Sequence, residues 1–296
     1  MWNKKTSIFE PEVEAIKRAV IANGLATPSV FEVQKNFDIS SNATHYPIIF
    51  MVDVSSSLRA ERENLNRAIS SFVKDILGSR TTLSSSVDFA IVTFGDKVKI
   101  KRPFGYITDK DLNNSAKKVT IGENDIERLT KMASGMFVSW YIAEKRKLQY
   151  KEAKANYRQP IFVLISDLCN NEKTQIDNEY LMARMISLYN MKFEGHKLGV
   201  LKALFGDISN YYNKEIKGIT IDAPVGFADM LSRLFSMLVS TIADPGDADY
   251  LVPDEDDREF LMDRGALNTE INKRFTSNKL VEIQELFNKF DDDGDE

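Results

Sequence analysis

From about residue 45 onward, two kinds of apolar pattern alternate along the chain. Short unbroken runs are followed by longer stretches with apolar residues three or four apart. Tyr46-Pro47-Ile48-Ile49-Phe50-Met51-Val52 is a run of the first kind, as a central strand covered on both faces requires. Residues 61–77 are of the second kind. There Leu65, Ala68, Ile69, Phe72, Val73 and Ile76 share one helical face. The alternation continues with a strand over 87–94 and a Gly95-Asp96 hairpin turn into an edge strand over 97–101. A long helix over 137–154 follows, with Trp140, Tyr141, Ile142 and Leu148 inward, then a strand over 160–166. Beyond it the spacing predicts helices over 179–190 and 207–215, strands over 198–205 and 218–221, and an amphipathic helix over 227–242. Strands and helices alternating at this spacing imply an α/β, Rossmann-like, doubly wound and mostly parallel sheet.

Both ends of the chain read differently. Val13, Ile16, Ala19 and Val20 predict a helix over 10–23, stopped at Asn23-Gly24, and a second short element over 28–39. A polar stretch, Ser40-Ser41-Asn42-Ala43-Thr44, places a boundary before the first strand. After residue 243 the chain is acidic and weakly apolar, with a helix predicted over 278–289. The expected division is a helical extension (1–44), an α/β domain (45–243) and an acidic extension (244–296).

In open α/β sheets, ligands collect beyond the carboxyl ends of the strands. Two of the apolar runs end in aspartates there, Asp53 and Asp167, and Asp53 is followed by the hydroxyls of Ser55 and Ser57. If the strands are neighbours, two carboxylates and two alcohols share one crevice. Hard oxygen donors suit Mg2+, Mn2+ or Ca2+ rather than zinc. A cation held mainly by neutral hydroxyls, with the carboxylates acting through water, would accept an acidic residue of a partner protein as its last ligand. The alternative is that Asp53 and Ser55 only cap the following helix.

Asp53-Val54-Ser55-Ser56-Ser57 resembles the D-x-S-x-S pattern of the metal-ion-dependent adhesion site in von Willebrand factor A domains. The runs 50–57, 87–96 and 162–167 occur in that family's order, and the set is similar to the TerY-like group associated with bacterial tellurium resistance. The resemblance covers 44–242 and implies a protein-binding module, not an enzyme, working in intracellular stress response or phage-related defence. The family's third motif is a threonine after a glycine pair, on a loop before the long helix. The matching stretch here is Ala133-Ser134-Gly135-Met136-Phe137, with Met136 at the threonine's position and Thr130 and Ser134 as nearby hydroxyls. Thioether sulfur is a poor ligand for a hard cation, so the resemblance implies a degenerate site with weak or absent metal.

Composition narrows the alternatives. A net charge of −5 over 296 residues argues against a nucleic-acid binder, which needs a basic surface. The cluster Lys145, Arg146, Lys147, Lys151, Lys154 reads as a solvated helix face. No apolar run is long enough to span a bilayer. One cysteine, Cys169, excludes an internal disulfide and, with no apolar stretch in the first ten residues, points to the cytoplasm. The two histidines, His45 and His196, lie far apart, and His45 falls at the opposite end of the sheet from Asp53, which argues against a histidine-based triad. A phosphohydrolase built on Asp53 would need an acid two residues on, where Ser55 stands. A structural component carrying a vestigial metal site is the other alternative. Asp291–Asp295 imitates the start of a calcium loop, but the chain ends before the glutamate such a loop needs.

Overall fold

The computed structural model describes residues 8, 11–33, 39, 43–78, 83–108, 111, 119–167, 169, 200–204, 219–221 and 227–243. Its strands are β1 (Thr44–Asp53), β2 (Val87–Phe94), β3 (Val98–Arg102), β4 (Asn156–Tyr157), β5 (Ile161–Ser166), β6 (Val200–Leu204) and β7 (Ile219–Ile221). Its helices are α1 (Pro11–Ala22), α2 (Arg62–Gly78), the single turn α3 (Leu83–Ser86), α4 (Met132–Glu152) and α5 (Phe227–Ala243), with 3-10 turns at Pro28–Phe31, Ser56–Ala60 and Glu123–Asp125. The expected helices over 179–190, 207–215 and 278–289 lie outside the described residues.

The sheet runs β3-β2-β1-β5-β6-β7, with the two-residue β4 pairing the start of β1. Every neighbouring pair is parallel except β2 with β3. The fold is therefore the expected α/β, doubly wound one. Strand order reverses at β1: the chain steps to β2 on one side and returns to β5 on the other. The carboxyl ends of β1 and β5 thus flank the switch point, where such folds place ligands.

Two apolar layers hold the sheet. Alternate residues of β1 serve each: Ile48, Phe50 and Val52 face α2 and α5, while Ile49 and Met51 face α4. The six apolar residues expected on the α2 face are all buried. Phe50 stacks on Phe235 of α5 at 4.7 Å and meets Phe72 of α2 at 5.3 Å, so three elements share one aromatic cluster. Burying a side chain of that size contributes about 1.5–3 kcal/mol.

The N-terminal segment packs into this core. Val13, Ile16, Val20, Leu25 and Phe31 join the layer on the α4 face, and Phe31 meets Tyr141 edge-on at 5.2 Å. The α1 helix starts with Pro11, whose missing N–H costs nothing at that position. It ends at Gly24, whose φ of +67° lets the Leu25 N–H return to the Val20 carbonyl. Leu25 then accepts the Val98 N–H at 2.7 Å, so the segment covers part of the otherwise open β3 edge.

The α4 helix begins at Met132, five residues before the expected start. It is buried nearly all round, between the sheet and the N-terminal segment, and this removes the one-sided spacing that marks a surface helix. The basic cluster there is divided: Lys154 is exposed and Lys145 and Lys151 are half-buried, but Arg146 and Lys147 are not on a solvated face. Arg146 is 1% and Lys147 6% exposed, and Arg146 donates Nε–H to the buried Asp88 carboxylate at 2.5 Å. A guanidinium can be buried this way because a carboxylate 58 residues earlier meets it.

Gly135 sits on α4 where a Cβ would lie 2.7 Å from the Phe94 ring. Replacing a helical glycine by alanine ordinarily stabilises by about 1 kcal/mol. Here Gly135→Ala is expected to destabilise by about 1–3 kcal/mol through overpacking. Urea unfolding checks this, and a more stable variant would show that α4 can move off β2.

Candidate metal rim at the sheet switch point

Asp53 is the last residue of β1, and Ser166 is the last of β5. The two strands are hydrogen-bonded neighbours, with Val52 opposite Ile165. Asp53 is fully buried. Its Oδ1 accepts the Ser55 N–H at 2.8 Å, and its Oδ2 accepts the Ser166 hydroxyl at 2.7 Å. The Ser55 and Ser57 hydroxyls are 2.8 Å apart. Asp167 follows β5 and is nearly buried, and its Oδ1 accepts the Cys169 N–H at 3.0 Å. Asp53, Ser55, Ser57 and Asp167 therefore gather at one rim, as their positions at strand ends imply.

Two acidic side chains share this rim. Burial pushes the Asp53 carboxyl up to about 7; the Ser166 and Ser55 hydrogen bonds oppose this, and the Asp167 charge adds to it. Among the described residues, no lysine or arginine forms an ion pair with Asp53 or Asp167. Burial, then Asp167 and Asp53, also pushes the Cys169 thiol up, which disfavours the thiolate. Among the described residues no three His, Cys, Asp or Glu side chains cluster as metal ligands. A cation at this rim would have to draw on hydroxyls as well as carboxylates, a donor set that fits a hard divalent ion. Direct ligation by Ser55 and Ser57 would leave both carboxylates to act through water or at one oxygen each.

Met136 is turned into the core rather than toward solvent. Met136 lies in the second turn of α4 and is 1% exposed within the apolar layer, so that helix position belongs to the core. Thr130 stands two residues before α4, in the segment bound to the turn after β2. It is buried, and its neighbours on both sides are tied to the turn after β2. The Leu129 N–H donates to Asp96 Oδ1 at 3.0 Å, and the Lys131 N–H donates to the Gly95 carbonyl at 3.1 Å. Gly95 follows Phe94, the sheet partner of Asp53.

The segment before Thr130 is bound to the D-x-S-x-S loop. The Glu127 N–H donates to the Val54 carbonyl at 2.7 Å, and the Val54 N–H donates to the Phe94 carbonyl at 3.1 Å. The Glu127 carboxylate accepts the Lys97 N–H at 3.0 Å and pairs with Lys99.

His45 lies at the other end of β1, fully buried between the Tyr106 and Tyr150 rings, away from the rim. Phe137, Trp140 and Tyr141 are core residues. Among the described residues no helix is long and apolar enough to cross a membrane.

Residues 48–168 match the family of the von Willebrand factor type A domain. Among solved structures, the chain is similar to proximal thread matrix protein 1 from the mussel byssus. The identity is 19% and the TM-score 0.42, over 67% of this chain and 48% of that one. A further structure of that mussel protein, at 19% identity and TM-score 0.40 over 67% and 48% of the two chains, is described as having a zinc-occupied MIDAS motif. The PilB minor pilin of Streptococcus sanguinis aligns at 10% identity and TM-score 0.46, over 70% of this chain and 63% of that one. The matched part thus spans about half of the mussel protein's length. No curated protein sequence matches the chain.

Proposed function

We propose that the rim of Asp53, Ser55, Ser57, Thr130 and Asp167 holds a hard divalent cation, Mg2+ or Mn2+, and uses it to dock an acidic side chain of a partner protein. The observation that carries this reading is Asp53: a carboxylate wholly withdrawn from water, beside a second one, with no lysine or arginine ion-paired to either among the described residues. The match of residues 48–168 to the type A domain family supports it, because such domains generally mediate protein–protein interaction. The resemblance in motif order to the TerY-like group extends the reading to an intracellular partner in a stress response.

On this reading the chain binds and does not catalyse. Asp53 has no proton donor two residues on, since that residue is Ser55. Calorimetry with Mn2+ and Mg2+ is expected to show one site, absent in Asp53→Ala. Capture of a partner from the native host is expected to require the cation and to be lost on chelation. A folded Asp53→Ala protein that keeps its partner affinity contradicts the proposal. So does phosphatase turnover that disappears in Asp53→Asn.

A further inference from the structure

Thr130 owes its place to a turn that carries no candidate ligand. The amides on either side of it, Leu129 and Lys131, are bound to Asp96 and Gly95 of the β2–β3 turn. That turn is held in its own right by Glu127. The Glu127 carboxylate accepts the Lys97 N–H, and it lies so close over Gly95 that a Cβ there would come within 2.4 Å of Glu127 Oε2. The same residue's N–H is bound to the carbonyl of Val54, between Asp53 and Ser55. Its side chain is 13% exposed, whereas its partner Lys99 is 52% exposed, so the ion pair itself is largely solvent-screened. The geometric role therefore rests on the backbone amide of Lys97 and the contact with Gly95.

We infer that Glu127 is a positioning residue for the rim: it ties the Asp53–Ser57 motif to the Gly95–Lys97 turn, and that turn fixes the backbone on both sides of Thr130. The inference rests on the proposed cation site and adds a residue that touches neither cation nor partner. Hydrogen-bonded groups behind a metal's own ligands commonly alter its affinity by about 10–100-fold. The effect here follows from loosening Thr130 relative to Ser55 and Ser57, so it appears in affinity rather than in the existence of the fold.

The test uses the full chain and Mn2+ alone as the probe. Mn2+ affinity is measured by calorimetry, and amide hydrogen exchange is followed in the chelated protein. Glu127→Ala is expected to weaken Mn2+ binding by about tenfold or more and to speed exchange at Lys97, Leu129 and Lys131. Glu127→Gln keeps an acceptor for the Lys97 N–H and is expected to bind within about threefold of wild type, since only the screened charge pair is lost. Lys101→Met breaks the Lys101–Asp125 ion pair of 2.6 Å on the neighbouring stretch and is the control for general loosening, with Mn2+ affinity unchanged. Gly95→Ala, which displaces the Glu127 carboxylate, should reproduce Glu127→Ala. Glu127→Ala binding Mn2+ as tightly as wild type overturns the inference, as does equal weakening in Lys101→Met. If wild type binds no Mn2+, the cation proposal fails. Exchange in the chelated protein then decides the positioning role separately: unchanged rates at Leu129 and Lys131 overturn it, and faster rates in Glu127→Ala alone uphold it.

Discussion

Asp53→Asn is expected to make the chelated protein more stable at pH 8 and to abolish its response to Mn2+. Burial raises the Asp53 carboxyl from 3.8 to about 7. A carboxyl raised in the folded state binds its proton more tightly there than in the unfolded chain. Its contribution to stability is thus complete below 3.8 and is lost as pH rises through about 7. Between pH 5 and pH 8 the metal-free protein should lose roughly 3 kcal/mol from this group, as an order of magnitude. Asparagine keeps the shape and both hydrogen bonds: its Oδ1 accepts from the Ser55 amide, and its amide can donate to the Ser166 hydroxyl. It carries no charge to bury, so the pH 8 loss vanishes. Mn2+ reverses the order. At a hundred times its Kd a cation stabilises wild type by about 2.7 kcal/mol and leaves the variant unmoved. Thermal unfolding across pH, with chelator and with Mn2+, reads both effects. A variant less stable than wild type at pH 8 in chelator would mean that the buried carboxylate is balanced by a charge other than a bound cation.

Arg146→Met should cost about 3–5 kcal/mol, because it strands a charge at the opposite end of the sheet. Asp88 and Arg146 are 0% and 1% exposed at their side chains. Asp88 Oδ2 accepts from Arg146 Nε and from the Tyr150 hydroxyl, both at 2.5 Å, while Oδ1 has no hydrogen-bond partner among the described residues. Burial pushes the Tyr150 phenol well above its ordinary 10, and the Asp88 charge adds to this, so Tyr150 stays a donor. Without the guanidinium, the carboxylate keeps one neutral donor in a site closed to water. Asp88→Asn combined with Arg146→Met removes both charges and should recover most of the loss, which a double-mutant cycle in urea measures. A single variant losing less than about 1 kcal/mol would show that water already reaches Asp88.

The contrast between these two sites explains what was legible beforehand. Asp53 and Asp167 could be found because each ends an unbroken apolar run, and strand ends at a switch point are exposed to one another by topology. Arg146 and Lys147 were misread as solvated. On a helix with charges at neighbouring positions, nothing local distinguishes a charge facing water from one facing Asp88. The start of the long helix was not legible either: with α4 beginning at Met132, Met136 lies inside the helix and the loop before it ends at Thr130 and Lys131.

Local patterning by itself determined the main described strands and the helices α1, α2 and α5, in their order. A strand buried on both faces needs a continuous apolar run, and α2, wet on one side, needs its apolar residues in a stripe; both requirements are written within ten or twenty consecutive residues. Tertiary structure decided where the long helix begins, that the N-terminal segment shares the core, which charges are buried, and that the Ser166 hydroxyl binds the Asp53 carboxylate. Each of those depends on what lies across the sheet or on the far side of a helix. A helix enclosed on all sides loses its periodic signature, and a buried ion pair joins residues whose separation along the chain carries no mark of their meeting.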